Sequence, residues 1–212
     1  LCQVLLGPLG DRFGKLRVLV LGVLLYGLAM GICAVASSLG QLVVLRAATG
    51  ALGGAIIPLA MAWIGDNVAY EERQATISRF LTGLVLSQLL AGPVSGTVGQ
   101  AMGWRGSFLL VGALATLTGV AIMLRLGSGL WRRQTGAQGR FGFSTHRMLL
   151  RRPAARRLLV IAFLDGALLF GGAFPFIGSY LIQDFHLELW QAGLVVAGFG
   201  LGSLIYTRMA SR

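Results

Sequence analysis

The sequence predicts an all-α, polytopic membrane protein, and three observations predict it. The 212 residues are 56% hydrophobic and only 12% charged, about half the charge of a soluble domain. Their mean hydropathy is +0.78. Six apolar runs approach or reach the roughly 17–25 residues that cross a bilayer as helix: Val18–Ala36, Leu42–Ile64, Leu81–Met102, Ser107–Leu124, Leu158–Ile182 and Leu189–Thr207. None alternates apolar and polar residues at period two, which argues against membrane strands.

Charge placement orders these spans. Leu1–Leu9 adds the end of a further span before Val18. With the spans alternating in direction, 16 of the 18 Lys and Arg fall on one side. Arg105 alone falls on the other, and Arg46 lies inside a span. Basic loops mark the cytoplasmic face, so residues 10–17, 66–80, 125–157 and 208–212 are expected in the cytoplasm and the protein in the inner (plasma) membrane. The outer loops are short: Ser37–Gln41, Gly103–Gly106 and Gln183–Glu188. The same bias accounts for the net charge of +11 as bilayer topology and anionic-lipid contact, not nucleic-acid binding.

Connections divide the chain. Residues 1–126 are expected as one group of spans, 127–157 as a cytoplasmic linker and 158–212 as the start of a second group. "GPL" at 7–9 and "GSL" at 202–204 each end a span before basic residues. With the long linker they point to two repeated halves. Cys2 and Cys33 fall near opposite ends of neighbouring spans, about 30 Å apart, so they are expected to be free thiols. No Cys/His metal cluster, phosphate-binding glycine loop or Ser/His/Asp arrangement stands out; neither cofactor nor enzymatic activity is expected.

The residues between the spans carry a resemblance. "GPLGDRFGKLR" at 7–17 resembles the signature turn of the major facilitator superfamily, Gly-x-x-x-Asp-Arg-x-Gly-x-(Arg/Lys)-(Arg/Lys), between its second and third spans. Gly7, Asp11, Arg12 and Gly14 match, and Lys15 and Arg17 supply the bases with Leu16 between them. "LRAATG" at 45–50 resembles the fourth-span Arg motif, with Thr49 where Gln is common. "GLVLSQLLAGPVSGT" at 83–97 is similar to the fifth-span antiporter motif; Gly83, Gly92, Pro93 and Gly96 match and Thr97 replaces the last Gly. The resemblance implies part of a major facilitator bundle, late span two to span eight of twelve, in the drug/proton antiporter branch. It implies secondary transport by alternating access, with small, often lipophilic molecules leaving against inward proton flow, in a protein monomeric at full length. A same-fold importer or uniporter of sugars or metabolites is the alternative. A seven-span receptor or an intramembrane enzyme would leave the three motifs unexplained.

The candidate site residues follow. Asp11 is an acid that a topological turn does not need, and the resemblance gives it a gating role. Arg12, Lys15 and Arg17 anchor the turn, and Asp66 is the acid expected to cooperate with it. Gly83, Gly92, Pro93 and Gly96 are expected to serve conformational change. Gly92 and Gly96, like Gly27/Gly31, Gly50/Gly54 and Gly198/Gly202, form small-xxx-small pairs that let helices approach closely; Pro93 removes a backbone bond and is expected to bend its helix. Arg46 and Asp165 are the charges inside spans and the candidates for proton or substrate handling. Asp165 shares a helical face with Ala162, Leu168, Leu169, Gly172 and Phe176 at 3.6 residues per turn. Pro175, after Gly171 and Gly172, is expected to kink its span.

Overall fold

The computed structural model describes residues 10, 12–127, 129 and 152–210. Gly7, Asp11, Cys2, most of the 127–157 linker and residues 211–212 lie outside them. Among the described residues the chain is helical and holds no strand.

Helix α1 spans Lys15–Cys33, three residues earlier than expected. Gly14 fixes its start: φ is 96°, a conformation glycine adopts without steric cost. The basic residues thereby enter the first turn. Helix α2, Leu39–Gly53, begins at Ser38, whose Oγ accepts from the Gln41 N–H at 3.2 Å. Gln41 Oε1 in turn accepts from the Ser37 N–H at 3.0 Å, a variant of the capping box.

The expected span Leu42–Ile64 is divided. Helix α2 ends at Gly53 and α3 runs Ile56–Asn67. Pro58 supplies the reason: it has no N–H to give the Gly54 carbonyl four residues back, and its ring crowds that carbonyl. Helix α4 covers Tyr70–Leu126 and holds both the fifth and sixth expected spans. Its one non-helical residue is Gly103, at φ 70°, ψ 178°. The expected outer loop 103–106 therefore shrinks to a single glycine. Pro93 stays inside helical φ/ψ; the break falls ten residues later, where the absence of a Cβ permits it.

Helix α5, Pro153–Asp165, leads into a π-helical segment, Gly166–Ala173, and then α6, Phe174–Phe185. Pro175 again removes a donor, and Gly166, Gly171 and Gly172 allow the wider turn. The expected kink is thus a stretch of altered register. Helix α6 ends in a left-handed His186, φ 54°, with the Leu187 N–H donating to the Leu181 carbonyl at 3.3 Å, a Schellman-type stop. Helix α7 covers Leu189–Ala210.

Two compact units emerge. Unit 1 comprises Leu1–Gly83 and Ala101–Gly139; unit 2 comprises Leu84–Gln100 and Arg140–Arg212. In unit 1, α1 packs on α2 and α3 around Val20, Cys33, Thr49, Ala55 and Leu59. In unit 2, α6 packs on α7, with Phe174 and Phe199 edge-to-face at 5.2 Å. Val44, Leu117, Phe163, Leu168 and many other large apolar side chains face outward. Lys15–Cys33, Leu39–Asn67 and Tyr70–Leu126 are long and apolar enough to cross a membrane. A lipid solvent removes the penalty for apolar surfaces left outside a core, and this is a multi-pass membrane protein.

Candidate functional site

The charged turn is built around Gly14. Its N–H donates to the Gly10 carbonyl at 2.9 Å, and its own carbonyl accepts from Val18 at 3.1 Å. This brings Lys15 Nζ to Asp66 Oδ2 at 2.5 Å. Lys15 is partly covered, while Asp66 is 56% exposed, so solvent screens the pair and it contributes about 0–1 kcal/mol. Gly10 sits against Leu59: a Cβ there would lie 2.6 Å from Leu59 Cδ2. Arg12 is exposed and lies over the Phe13 ring at 5.4 Å. Arg17 lines an apolar cavity of about 340 Å³ with Phe13, Leu21, Leu52 and Leu59. The turn's acid, Asp11, lies outside the described residues, as does Gly7.

Arg46 sits about 10 Å into α2 at 1.5 Å per residue. Its Nη1 donates to Met30 Sδ at 3.4 Å, and its guanidinium lies 5.7 Å from the Phe108 ring centroid. Thr49, 1% exposed, donates its hydroxyl to the Arg46 carbonyl. Phe108 meets Trp104 edge-to-face at 5.8 Å. Arg105 covers the Trp104 ring at 4.3 Å and donates to the Ala36 carbonyl at 3.0 Å. Two guanidinium groups and two rings thus form one continuous cluster in unit 1. Composition gave no hint of it, because Arg46 and Phe108 are distant in sequence.

The fifth-span glycines meet α7 within unit 2. A Cβ on Gly92 would collide with the Gly193 carbonyl, and one on Gly96 would lie 2.5 Å from the Leu189 carbonyl. A Cβ on Gly200 would lie 3.0 Å from the Leu89 Cα. The partner number falls as the α7 number rises, so the segments cross antiparallel. In unit 1, a Cβ on Gly112 would lie 2.7 Å from the Gly31 nitrogen, and one on Gly119 would lie 2.7 Å from Leu24 Cδ2. Gly193, Gly200, Gly112 and Gly119 were not singled out by sequence; their seven-residue spacings were the available signal. Of the other expected pairs, Gly50, Gly198 and Gly202 face open space, as does Gly83, and Gly54 meets only the Gly50 carbonyl of its own helix.

Asp165 is exposed at the last position of α5. The π-helical segment starts at the next residue. A face counted at 3.6 residues per turn therefore does not carry from Asp165 to Leu168, Leu169, Gly172 and Phe176. At the start of α7, Glu188 Oε2 accepts from Trp190 Nε1 at 2.7 Å and from Gln100 Nε2 at 3.1 Å. The Gln100 bond, followed by the Trp190 bond, holds its carboxyl below the ordinary 4.5.

Comparison with known proteins places this geometry. The model of the Major Facilitator Superfamily matches residues 1–212. The protein of Bacillus subtilis (strain 168) named "Uncharacterized MFS-type transporter YwfA" is 27% identical over 98% of this chain and 51% of its own length. The "4-hydroxybenzoate transporter PcaK" of Pseudomonas aeruginosa is 32% identical over 57% of this chain and 27% of its own. "Multidrug resistance protein 3" of Bacillus subtilis is 28% identical over 51% and 22%. The chain thus spans about half the length, or less, of these curated relatives. No solved structure gives a significant match. Matched by that model along its whole length, the chain belongs to the Major Facilitator Superfamily, whose helical bundle moves small molecules across membranes.

Proposed function

We propose that the whole protein is a twelve-span secondary transporter that works by alternating access and couples inward proton flow to efflux of small, often lipophilic molecules. The observation that carries this reading is the crossing of Gly92–Pro93–Gly96 with α7, in which backbone meets backbone. Helices in such contact can shift without unlocking side-chain teeth. The relative named a multidrug resistance protein supports the efflux direction.

In this reading the turn formed by Gly7, Asp11, Arg12, Gly14, Lys15 and Arg17 braces the cytoplasmic gate, and Lys15–Asp66 is part of the brace. Gly83 continues the flexible segment. Arg46 and Asp165 handle substrate or protons. The basic side faces the cytoplasm. Side-chain contacts support that assignment, since each joins residues expected on one face: Lys15 with Asp66, Arg105 with Ala36, and Gln100 with Glu188.

The test is proton movement in proteoliposomes of the full-length protein when lipophilic substrates are added. Counterflow of protons and substrate, lost in Asp11→Asn with insertion intact, is expected. Substrate uptake down its own gradient without proton movement would instead make the protein a uniporter. The relative named a 4-hydroxybenzoate transporter supports only the metabolite substrate of that second reading.

A further inference from the structure

The crossing of α4 and α7 ends in a side-chain bond. Four contacts follow one another along it, each pairing a later α4 residue with an earlier α7 residue. Leu89 lies against Gly200, Gly92 against Gly193, and Gly96 against Leu189. The nearest atoms in these three contacts are backbone. The fourth contact joins side chains: Gln100 Nε2 donates to Glu188 Oε2 at 3.1 Å. From Leu89 to Gln100 the row runs about 16 Å at 1.5 Å per residue. All of it lies within unit 2.

Glu188 is held ready for that bond by its own helix. Trp190 Nε1 donates to the same Oε2 at 2.7 Å, and the Glu188 N–H donates to Gln191 Oε1 at 3.0 Å. Both partners stand in the first turn of α7. The carboxylate therefore keeps its aim when Gln100 leaves, and only the Gln100 side chain must return for the bond to reform. An ionised acceptor makes a stronger hydrogen bond than a neutral one, and its reach is short, since nothing is left of the bond beyond about 3.5 Å. A slide of α7 by one helical turn, about 5.4 Å, carries Glu188 away from Gln100. The three backbone contacts offer no side-chain rotamer to hold the register.

We propose that Gln100 and Glu188, with Trp190 as positioning residue, form a latch that sets the resting register of this seam and opens before α4 and α7 move past one another. This inference rests on the alternating-access reading above and names a contact that biases its states. Gln100, Glu188 and Trp190 lie outside the three sequence motifs. All three are exposed, so water competes for the bond, and the latch biases the register without locking it.

The experiment reads the distance between spin labels on Val94→Cys and Leu194→Cys, both exposed, by electron paramagnetic resonance. It uses the full-length protein in nanodiscs with its other cysteines replaced, and no substrate or proton gradient is present. With the latch intact, one distance is expected to dominate. Glu188→Ala and Gln100→Ala should each raise the population at a second distance about two- to fivefold, the range of an exposed pair. The double variant should show no more than either single change, as partners in one bond do. Glu188→Gln keeps an acceptor and should stay closer to the intact latch. Trp190→Phe should raise the second population when Glu188 is present and change nothing further in Glu188→Ala, a dependence that lost packing alone would not give. An unchanged distribution in Glu188→Ala and Gln100→Ala overturns the proposal, and so do additive effects in the double variant; Gln100→Ala decides alone if Glu188→Ala fails to fold. A working latch without proton movement in proteoliposomes would sink the coupling reading alone, and proton-coupled efflux with an unchanged distribution would sink the latch alone.

Discussion

The two glycine seams use one design and differ in what they touch. In unit 1, Gly112 and Gly119 meet α1 near Gly27, Gly31 and Leu24; in unit 2, Gly193 and Gly200 meet α4 near Gly92 and Leu89. Both pair a seven-residue spacing on one helix with glycines on an antiparallel partner. In unit 1 the close atoms include side chains, the Thr116 hydroxyl at Gly27 and the Leu24 methyl at Gly119. In unit 2 the closest atoms are backbone throughout: the Gly193 and Leu189 carbonyls and the Leu89 Cα. Side-chain teeth hold a seam in register, whereas a smooth seam resists added bulk but has little to oppose sliding. The fifth-span motif sits on the smooth seam, where the proposed alternating access would need freedom.

The largest expected effect breaks this comparison at its strongest point. Gly92→Ala and Gly193→Ala each drive a methyl into a carbonyl that cannot rotate away. Overpacking of this kind costs roughly 1–3 kcal/mol or more. Gly119→Ala meets the Leu24 side chain, which can change rotamer, so its cost is expected at the low end of that range. Thermal unfolding of full-length variants in detergent, with transport rates alongside, measures both. Equal losses at Gly92 and Gly119 would erase the distinction between seams. Gly83→Ala and Gly198→Ala, in open space, should leave melting temperature unchanged or slightly raised, since alanine favours helix over glycine.

A smaller effect is expected at the charged-turn end of unit 1. Asp66→Asn removes the charge that faces Lys15. With Asp66 more than half exposed, the stability change should stay within about 1 kcal/mol and fade at high salt. Transport rate is the sharper readout, because the proposed gate brace would act on the balance between states, not on folding alone. An Asp66→Asn protein with wild-type stability and wild-type transport would reduce the pair to a topological anchor.

Sequence legibility followed the range of each interaction. Helix class and the approximate spans were readable because hydrophobic length and charge placement are local signals, and Ser38, Gly14 and Pro153 mark helix starts by their own chemistry. Two departures had local causes that a span count ignores. Pro58 divides the fourth span near Gly54, and the glycine-rich stretch before Pro175 becomes a π-helical segment. That segment undid the face assigned to Asp165, since one altered turn rotates every later residue. Asp66 was expected to cooperate with the charged turn, without a named partner; the structure pairs it with Lys15. The Arg46–Phe108–Trp104–Arg105 cluster was not, because it depends on which helices pack together. Gly50/Gly54 and Gly198/Gly202 show the converse: a small-xxx-small spacing allows a crossing without requiring one.

The smallest expected effect separates the units by pH. Unit 1 closes the corner near Gly103 with Arg105 donating to the Ala36 carbonyl. Unit 2 uses Glu188, which accepts from Gln100 and Trp190 and whose pKa is held below the ordinary 4.5. A carboxyl with a lower pKa folded than unfolded adds stability above the unfolded value. That contribution fades as pH falls through the folded value. Wild-type protein should therefore lose a small increment of stability below about pH 4.5. Glu188→Gln should lack this step, because its amide oxygen can accept the same donors without a charge. Its deficit relative to wild type should be visible at pH 7 and disappear in acid. Arg105→Gln should show a deficit that is the same at both pH values. Melting temperatures of the three full-length proteins, measured from pH 7 down through pH 4, test the pattern. A pH-independent Glu188→Gln deficit would mean that the Glu188 charge is not what steadies the start of α7, since the bond from its backbone N–H to the Gln191 side chain survives the substitution.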